Sequence, residues 1–323
     1  MEYRRFDLSA DFRETDPYGE KTEPCLDAYL RRGPFIPAKR KAVLVCPGGA
    51  YRFTSLRESE PVALRFFAEG IQAFVLWYSA PAPFPKALTE LARSVRFVRA
   101  NAADWNIDPE GIYVMGFSAG GHLAASLSNM WHMGFLNDLC GSAPDEIRPD
   151  GNILCYPVIT TGEYTHAESF KHLLPGIARG GRAGARKDPY AGTSGDTHER
   201  VLRNLFSEET ADADGENREL QNDLLAFNSL EDRVSERTPP TFIWTTWTDR
   251  TVPAWNTIRY VEALYRHGVP CEAHIFRKGV HGLSLGTAET AKAPAEAYVE
   301  PAAASWVSLC VDWILNRNPR TER

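Results

Sequence analysis

The stretch that decides the reading is Ile112-Tyr113-Val114-Met115-Gly116-Phe117-Ser118-Ala119-Gly120-Gly121-His122-Leu123. Its first four residues are apolar and rich in β-formers, as in a strand buried on both faces. Leu123, Leu127, Met130 and Trp131 then recur at helical spacing, so a helix follows at once. Between them stands Gly116-Phe117-Ser118-Ala119-Gly120, a G-x-S-x-G pattern. A tight strand-to-helix turn of this kind is a nucleophile elbow, which lifts the serine hydroxyl clear of the sheet. The glycines let neighbouring backbone approach where a Cβ would clash. The helix N-terminus sets free N–H groups beside any negative charge that develops there. The pattern alone is short enough to arise by chance, and the alternative is an idle serine in a Gly-rich turn; the strand and helix around it favour the elbow.

Working outward, the same alternation recurs. Apolar runs at Ala42–Cys46, Gln72–Tyr78, Gly111–Met115, Asn152–Val158, Thr241–Trp247 and Glu272–Phe276 read as strands. Helical stripes lie between and after them: Leu88, Leu91, Val95 and Val98 over about 86–104; Ile258, Val261, Leu264 and Tyr265, closed by Gly268; and Trp306, Leu309, Cys310, Trp313 and Ile314, stopped near Pro319. These stripes read as core-packing faces. Strand–helix alternation predicts an α/β fold with an open, mostly parallel sheet and helices on both faces. We expect one domain over 1–323, interrupted by a polar, Gly-rich insertion at about 176–222. That insertion begins basic and turns acidic, and it reads as a lid or as a solvated surface loop.

Composition excludes several classes. The chain has 323 residues, 43% apolar and 24% charged, which is the profile of a globular protein. With 36 basic against 42 acidic residues the net charge is −6, so no electrostatic footprint for nucleic acid exists. The longest apolar run, Ala73–Tyr78, falls far short of the ~20 residues of a membrane span. Met1-Glu-Tyr-Arg-Arg has no apolar signal core, which implies a cytoplasmic protein, with a processed secreted form as the alternative. The six cysteines are scattered without a CxxC pair, so we expect reduced thiols and no metal. A homodimer is compatible with the sequence, but no stripe identifies an interface.

Elbow chemistry needs partners. An oxyanion hole requires two backbone donors; Ala119 N–H, just after the serine, is one. Cys46-Pro47-Gly48-Gly49-Ala50-Tyr51 ends an early strand and makes Gly49 and Ala50 the candidates for the second. An acid should follow a late strand, and Asp249 does so after Thr241–Trp247, with helix capping as its alternative role. A base should follow the next strand. His281, in Gly279-Val280-His281-Gly282, holds that slot, whereas His274 lies inside the strand and His122 rides the helix behind the elbow. Arg57 either contacts substrate or ion-pairs with a nearby Glu. Tyr51 and Trp247 either stack on substrate or belong to the core.

From about residue 40 to 316, without the insertion, the chain resembles an α/β-hydrolase, and within that fold bacterial esterases of the acetyl esterase and acetylxylan esterase type. The resemblance rests on Pro47-Gly-Gly-Ala-Tyr51, Ser55-Leu-Arg57-Glu58-Ser-Glu60-Pro61, Ala82-Pro-Phe-Pro85, Gly116–Leu123, Pro239-Pro240, Asp249-Arg-Thr-Val-Pro253 and Gly279-Val-His-Gly-Leu283. Pro47 and Ala50 depart from the HGGG form of the oxyanion loop. The resemblance implies Ser118 as nucleophile, His281 as base, Asp249 as the residue orienting it, no cofactor, and a small-molecule or oligosaccharide ester as substrate. Amide cleavage by the same fold, or a catalytically silent binding protein, are the competing expectations.

Overall fold

The computed structural model describes residues 1–21, 23–31, 39–175 and 222–316. The expected insertion therefore lies outside the described residues save for its last position, as does the stop near Pro319.

All the strands of the described residues join one nine-stranded sheet in the order β2-β1-β3-β5-β4-β6-β7-β8-β9. The central strands are β4 (Arg40–Cys46), β5 (Gln72–Trp77), β6 (Ile107–Phe117), β7 (Gly151–Cys155), β8 (Thr241–Thr246) and β9 (Cys271–Phe276). Neighbours among these six run parallel. Three strands the sequence reading did not find, β1 (Glu2–Asp7), β2 (Arg13–Thr15) and β3 (Cys25–Leu30), add an antiparallel edge beyond β5. Arg5 on β1 makes a two-pronged contact with the buried Asp27 on β3, and the Trp77 indole N–H donates to the same carboxylate. One ion pair thus ties three strands.

The apolar runs are continuous because both faces of the sheet are covered. Along β4, Ala42, Leu44 and Cys46 join one core and Val43 and Val45 the other; on β8, Ile243 opposes Phe242 and Trp244 in the same way. Strand side chains alternate in direction, so each residue meets a helix whichever way it points. On the first face pack α2 (Lys86–Ala100) through Leu88, Leu91, Val95 and Val98, α3 (Ala119–Met130) through Leu123 and Leu127, and the helix Trp255–Arg266. On the second face lie α1 (Glu60–Ala68), through Val62 and Phe66, and the helix Trp306–Asn316, through Trp306, Cys310 and Ile314. Burying such a side chain contributes roughly 1.5–3 kcal/mol.

One expected stripe holds in part: Leu264 is buried and Val261 packs against the core, but Tyr265 does not. Trp255–Arg266 buries Tyr260, Ala263 and Leu264 and leaves Tyr265 85% exposed. Tyr260 is buried instead, its hydroxyl donating to Oδ1 of buried Asn129 at 3.1 Å. The six cysteines are unbridged, and among the described residues no helix is long and apolar enough to cross a membrane.

Candidate active site

The loops that leave the C-terminal ends of β4, β6, β8 and β9 meet over one point of the sheet. Ser118 follows β6 at φ 54°, ψ −116°, a conformation that non-glycine residues rarely adopt. Three backbone bonds hold it there: Ser118 N–H donates to Cys155 O (3.0 Å), and its own carbonyl accepts from His122 and Val158 N–H (both 3.1 Å). The flanking glycines are dictated by contact. A Cβ on Gly116 would lie 1.9 Å from Gly120 O, and one on Gly120 would lie 2.1 Å from Cys46 O and 2.5 Å from Pro47 O. The end of β4 therefore presses directly on the start of α3.

Ser118 Oγ lies 2.8 Å from His281 Nε2, and His281 Nδ1 lies 2.6 Å from Asp249 Oδ2. The other carboxylate oxygen of Asp249 accepts N–H from Thr251 and Val252, both at 2.9 Å, which fixes the rotation of the group. The Asp249 side chain is 1% exposed and that of His281 17%. The structure thus brings together the three residues expected to form the triad, buried at the acid and open at the base.

Ala119 N–H is the first amide of α3 and has no acceptor among the described residues; the same holds for Gly49 and Ala50. Gly49 (φ 137°), Ala50 (φ 55°) and Tyr51 (φ 57°) turn the chain sharply, closed by bonds from Arg52 and Phe53 N–H to Gly49 O. Gly48 N–H, by contrast, is engaged by Glu58 Oε2 at 2.9 Å. The Tyr78 hydroxyl donates to Pro47 O (2.7 Å) from beneath. Three unsatisfied donors at a helix start and a strained turn can receive an oxyanion.

The expected substrate contacts divide. Trp247 is 65% exposed just before Asp249. Tyr51 is 2% exposed, so its expected role of stacking on substrate has no free ring face. The positive φ turns its side chain inward, where its hydroxyl donates to His122 Nδ1 (2.9 Å). His122 Nε2–H in turn donates to Asn228 O (3.0 Å), and burial pulls this histidine down to about 4, so it stays neutral. Arg57 makes no ion pair with a Glu among the described residues: it donates to Gly282 O (2.9 Å) and to Thr290 O, and its guanidinium lies over the Tyr298 ring.

Sequence reasoning missed Glu58, Tyr156 and His166. Glu58 stands inside a quoted motif, but nothing local marks it as buried. His166, after β7, is held below its ordinary value by burial first and then by the neighbouring His281. Two further aromatics stay exposed on this side: Trp255, on the helix after Asp249, and Tyr164, their rings 5.8 Å apart. Buried Asn256 holds them, donating to Tyr164 O and accepting from Ile159 and Thr160 N–H. A cavity of about 370 Å³ opens at the opposite, N-terminal ends of β7 and β8, beside Trp131, Arg148 and Arg237, and none of the triad lines it. Among the described residues no cluster of His, Cys, Asp and Glu is placed to hold a metal ion.

Known proteins share this arrangement of chain. The sequence is 35% identical over 275 residues to endo-1,4-beta-xylanase B of Butyrivibrio fibrisolvens, covering 82% of this chain and 35% of that protein. It is 30% identical over 252 residues to an acetylxylan esterase of Xylanibacter ruminicola, covering 76% of this chain and 42% of that one. The chain therefore spans well under half the length of these curated relatives. Among solved structures, an acetyl ester-xyloside bifunctional hydrolase from Caldicellulosiruptor lactoaceticus superposes with a TM-score of 0.65 at 32% identity, over 94% of this chain and 90% of that one. A family defined by the alpha/beta hydrolase fold matches residues 43–285, most of the sequence, and the chain belongs to that family.

Proposed function

We propose that the chain is a serine carboxylic-ester hydrolase that removes acetyl groups from xylan-type carbohydrate esters. The observation that carries the reading is the continuous line Asp249–His281–Ser118, at 2.6 and 2.8 Å, ending beside three N–H groups without acceptors. In the first step Ser118 Oγ bonds to the ester carbonyl carbon while His281 Nε2 takes the hydroxyl proton. Asp249 holds the Nδ1–H tautomer and offsets the positive charge of the imidazolium. Ala119 N–H, with Gly49 or Ala50 N–H, binds the oxyanion. As the tetrahedral adduct collapses, His281 returns its proton to the departing sugar oxygen and Ser118 is left acetylated. A water molecule then attacks the acetyl carbon, gives a proton to His281, and acetate leaves as Ser118 Oγ regains its hydrogen. Apart from the substrate and this water, every participating group is a side chain or backbone amide of the chain, so these steps call for no cofactor.

The acetyl and carbohydrate parts rest on the named relatives and on the exposed Trp247 and Trp255, whose faces suit stacking against sugar rings. Each acyl CH₂ buried in an apolar pocket would add about 0.8 kcal/mol, so a site built for long chains should favour octanoate. We expect acetate to be best. Comparing kcat/KM on nitrophenyl acetate through octanoate, on an acetanilide, and on acetylated xylo-oligosaccharides tests this. A steady rise toward octanoate defeats the acetyl assignment, faster anilide than ester cleavage defeats the ester assignment, and absence of acetate release from the oligosaccharides defeats the carbohydrate one.

A further inference from the structure

Glu58 is 4% exposed, and among the described residues no Lys, Arg or His stands within ion-pair distance of it. A buried carboxylate without a cation is costly unless its oxygens are filled by donors. Here they are filled by two loops. Oε2 accepts Gly48 N–H (2.9 Å), directly before the Gly49–Ala50 turn, and Oε1 accepts the Tyr156 hydroxyl (2.7 Å). The Tyr156 oxygen accepts Ser284 N–H (2.9 Å), three residues past His281, and the Tyr156 ring meets the His281 ring edge-on at 5.1 Å. Ser284 is tied back in turn: its hydroxyl donates to Arg57 O (2.6 Å), and its carbonyl accepts from the Trp306 indole (3.0 Å). Arg57 reaches Gly282 O, the residue next to His281.

The loop bearing the proposed oxyanion donors and the loop bearing the proposed base are separated by more than 200 residues of chain. They are joined through Arg57 and Glu58. We propose that Glu58 is a positioning residue for acyl transfer: its carboxylate locks the Gly48–Ala50 turn to the His281 loop through Tyr156. The free amides and the imidazole then keep a common register on Ser118. Nothing in this assignment requires Glu58 to touch substrate. It rests on the ester-hydrolase reading above, because a register between oxyanion donors and base matters only if both act on one tetrahedral centre. A shift of about 1 Å between such groups costs on the order of 100-fold in rate.

The test is Glu58→Gln, which keeps size but has only one acceptor oxygen for two donors. The second variant is Tyr156→Phe, which leaves the Glu58–Gly48 bond and cuts the link to Ser284. We expect Glu58→Gln to lower kcat roughly 10- to 100-fold with KM on nitrophenyl acetate within about threefold. Affinity for phenylboronic acid, which forms a tetrahedral adduct on the serine, should fall in step with kcat. Tyr156→Phe should show the same split at smaller size, and it decides the matter if Glu58→Gln does not fold. Restoring the carboxylate with Glu58→Asp should recover part of kcat. A folded Glu58→Gln with wild-type kcat, a loss confined to KM, or a kcat loss without weaker boronate binding overturns the proposal. Ser118→Ala, assayed alongside, separates the two levels: if it keeps activity, the hydrolase reading itself is wrong, whatever Glu58 does.

Discussion

Exchanging Asp249 for Asn changes one atom, and the surrounding bonds dictate which way that atom faces. Oδ1 of Asp249 accepts two backbone N–H groups, from Thr251 and Val252, each at 2.9 Å. An Asn that turned its NH₂ toward these donors would leave the Thr251 amide without its acceptor and the buried Val252 amide unsatisfied, the latter at about 1–3 kcal/mol. The amide oxygen therefore stays with the backbone, and the NH₂ replaces Oδ2, 2.6 Å from His281 Nδ1. A donor there forces Nδ1 to accept, so the imidazole proton moves to Nε2. That nitrogen faces Ser118 Oγ at 2.8 Å and now has no lone pair to take the hydroxyl proton. The base is lost by tautomer, with the geometry intact. In serine-triad enzymes this substitution costs on the order of 10⁴ in kcat, which is about 5 kcal/mol of transition-state stabilisation. Steady-state hydrolysis of nitrophenyl acetate by Asp249→Asn, with thermal unfolding as the control for folding, measures it. Retention of more than about a tenth of wild-type kcat by a folded variant would refute the argument, since His281 would then be oriented by something other than this carboxylate.

Two further outcomes follow from the same contacts. Gly120→Ala places a methyl 2.1 Å from Cys46 O and 2.5 Å from Pro47 O, two backbone atoms that cannot rotate away; the elbow and the oxyanion loop must part by more than ~1 Å, so we expect kcat to fall about 100-fold or more, and a fully active, equally stable variant would count against the packing described. His122, ordinarily near 6.5, is pulled to about 4 by burial, so between those values the unfolded chain takes up a proton that the folded chain refuses. This contribution to stability is complete above pH 6.5 and is lost as the pH falls toward 4, reaching about 3 kcal/mol; denaturant unfolding should show a shallower acid-side decline for His122→Gln, and identical pH slopes would show that His122 is not neutral in the fold.

Much of this architecture is readable in the sequence for one physical reason. A strand covered on both faces must be apolar throughout, and a helix covered on one face must be apolar at every third or fourth position. The strands β4 to β8 announce themselves in that way. The strand β1, second from the edge beside β2, does not. Glu2-Tyr3-Arg4-Arg5-Phe6-Asp7 reads as a polar leader because its burial depends on Arg5 meeting Asp27 and on Tyr3 stacking against Tyr29, partners more than 20 residues away. The exact phase of the helix Trp255–Arg266 is hidden for a related reason: Tyr260 and Tyr265 are alike in composition, and only Tyr260 lies on the buried face with Asn256, Thr257, Ala263 and Leu264 and finds a hydroxyl partner in Asn129.

The site divides along the same line. Ser118, Asp249 and His281 were legible because each follows the end of a strand, and parallel strands deliver their following loops to one edge of the sheet. Side-chain direction beyond those anchors was not legible, because it is set by turns and by distant acceptors. For Tyr51 the sequence leaves substrate stacking and core packing both open, and the positive φ decides for the core, where its hydroxyl meets His122. For Arg57 the sequence offers substrate contact or an ion pair with a nearby Glu, whereas its acceptors in the fold, Gly282 and Thr290, lie 225 and 233 residues further along the chain. Glu58 and Tyr156 show the consequence. A carboxylate and a phenol, each unremarkable in its own segment, become the joint between two loops only when the sheet has brought β4, β7 and β9 into their common order. The residues proposed to perform chemistry can be found by their place after a strand, whereas those proposed to hold them in register are defined by contacts, and contacts exist only after folding.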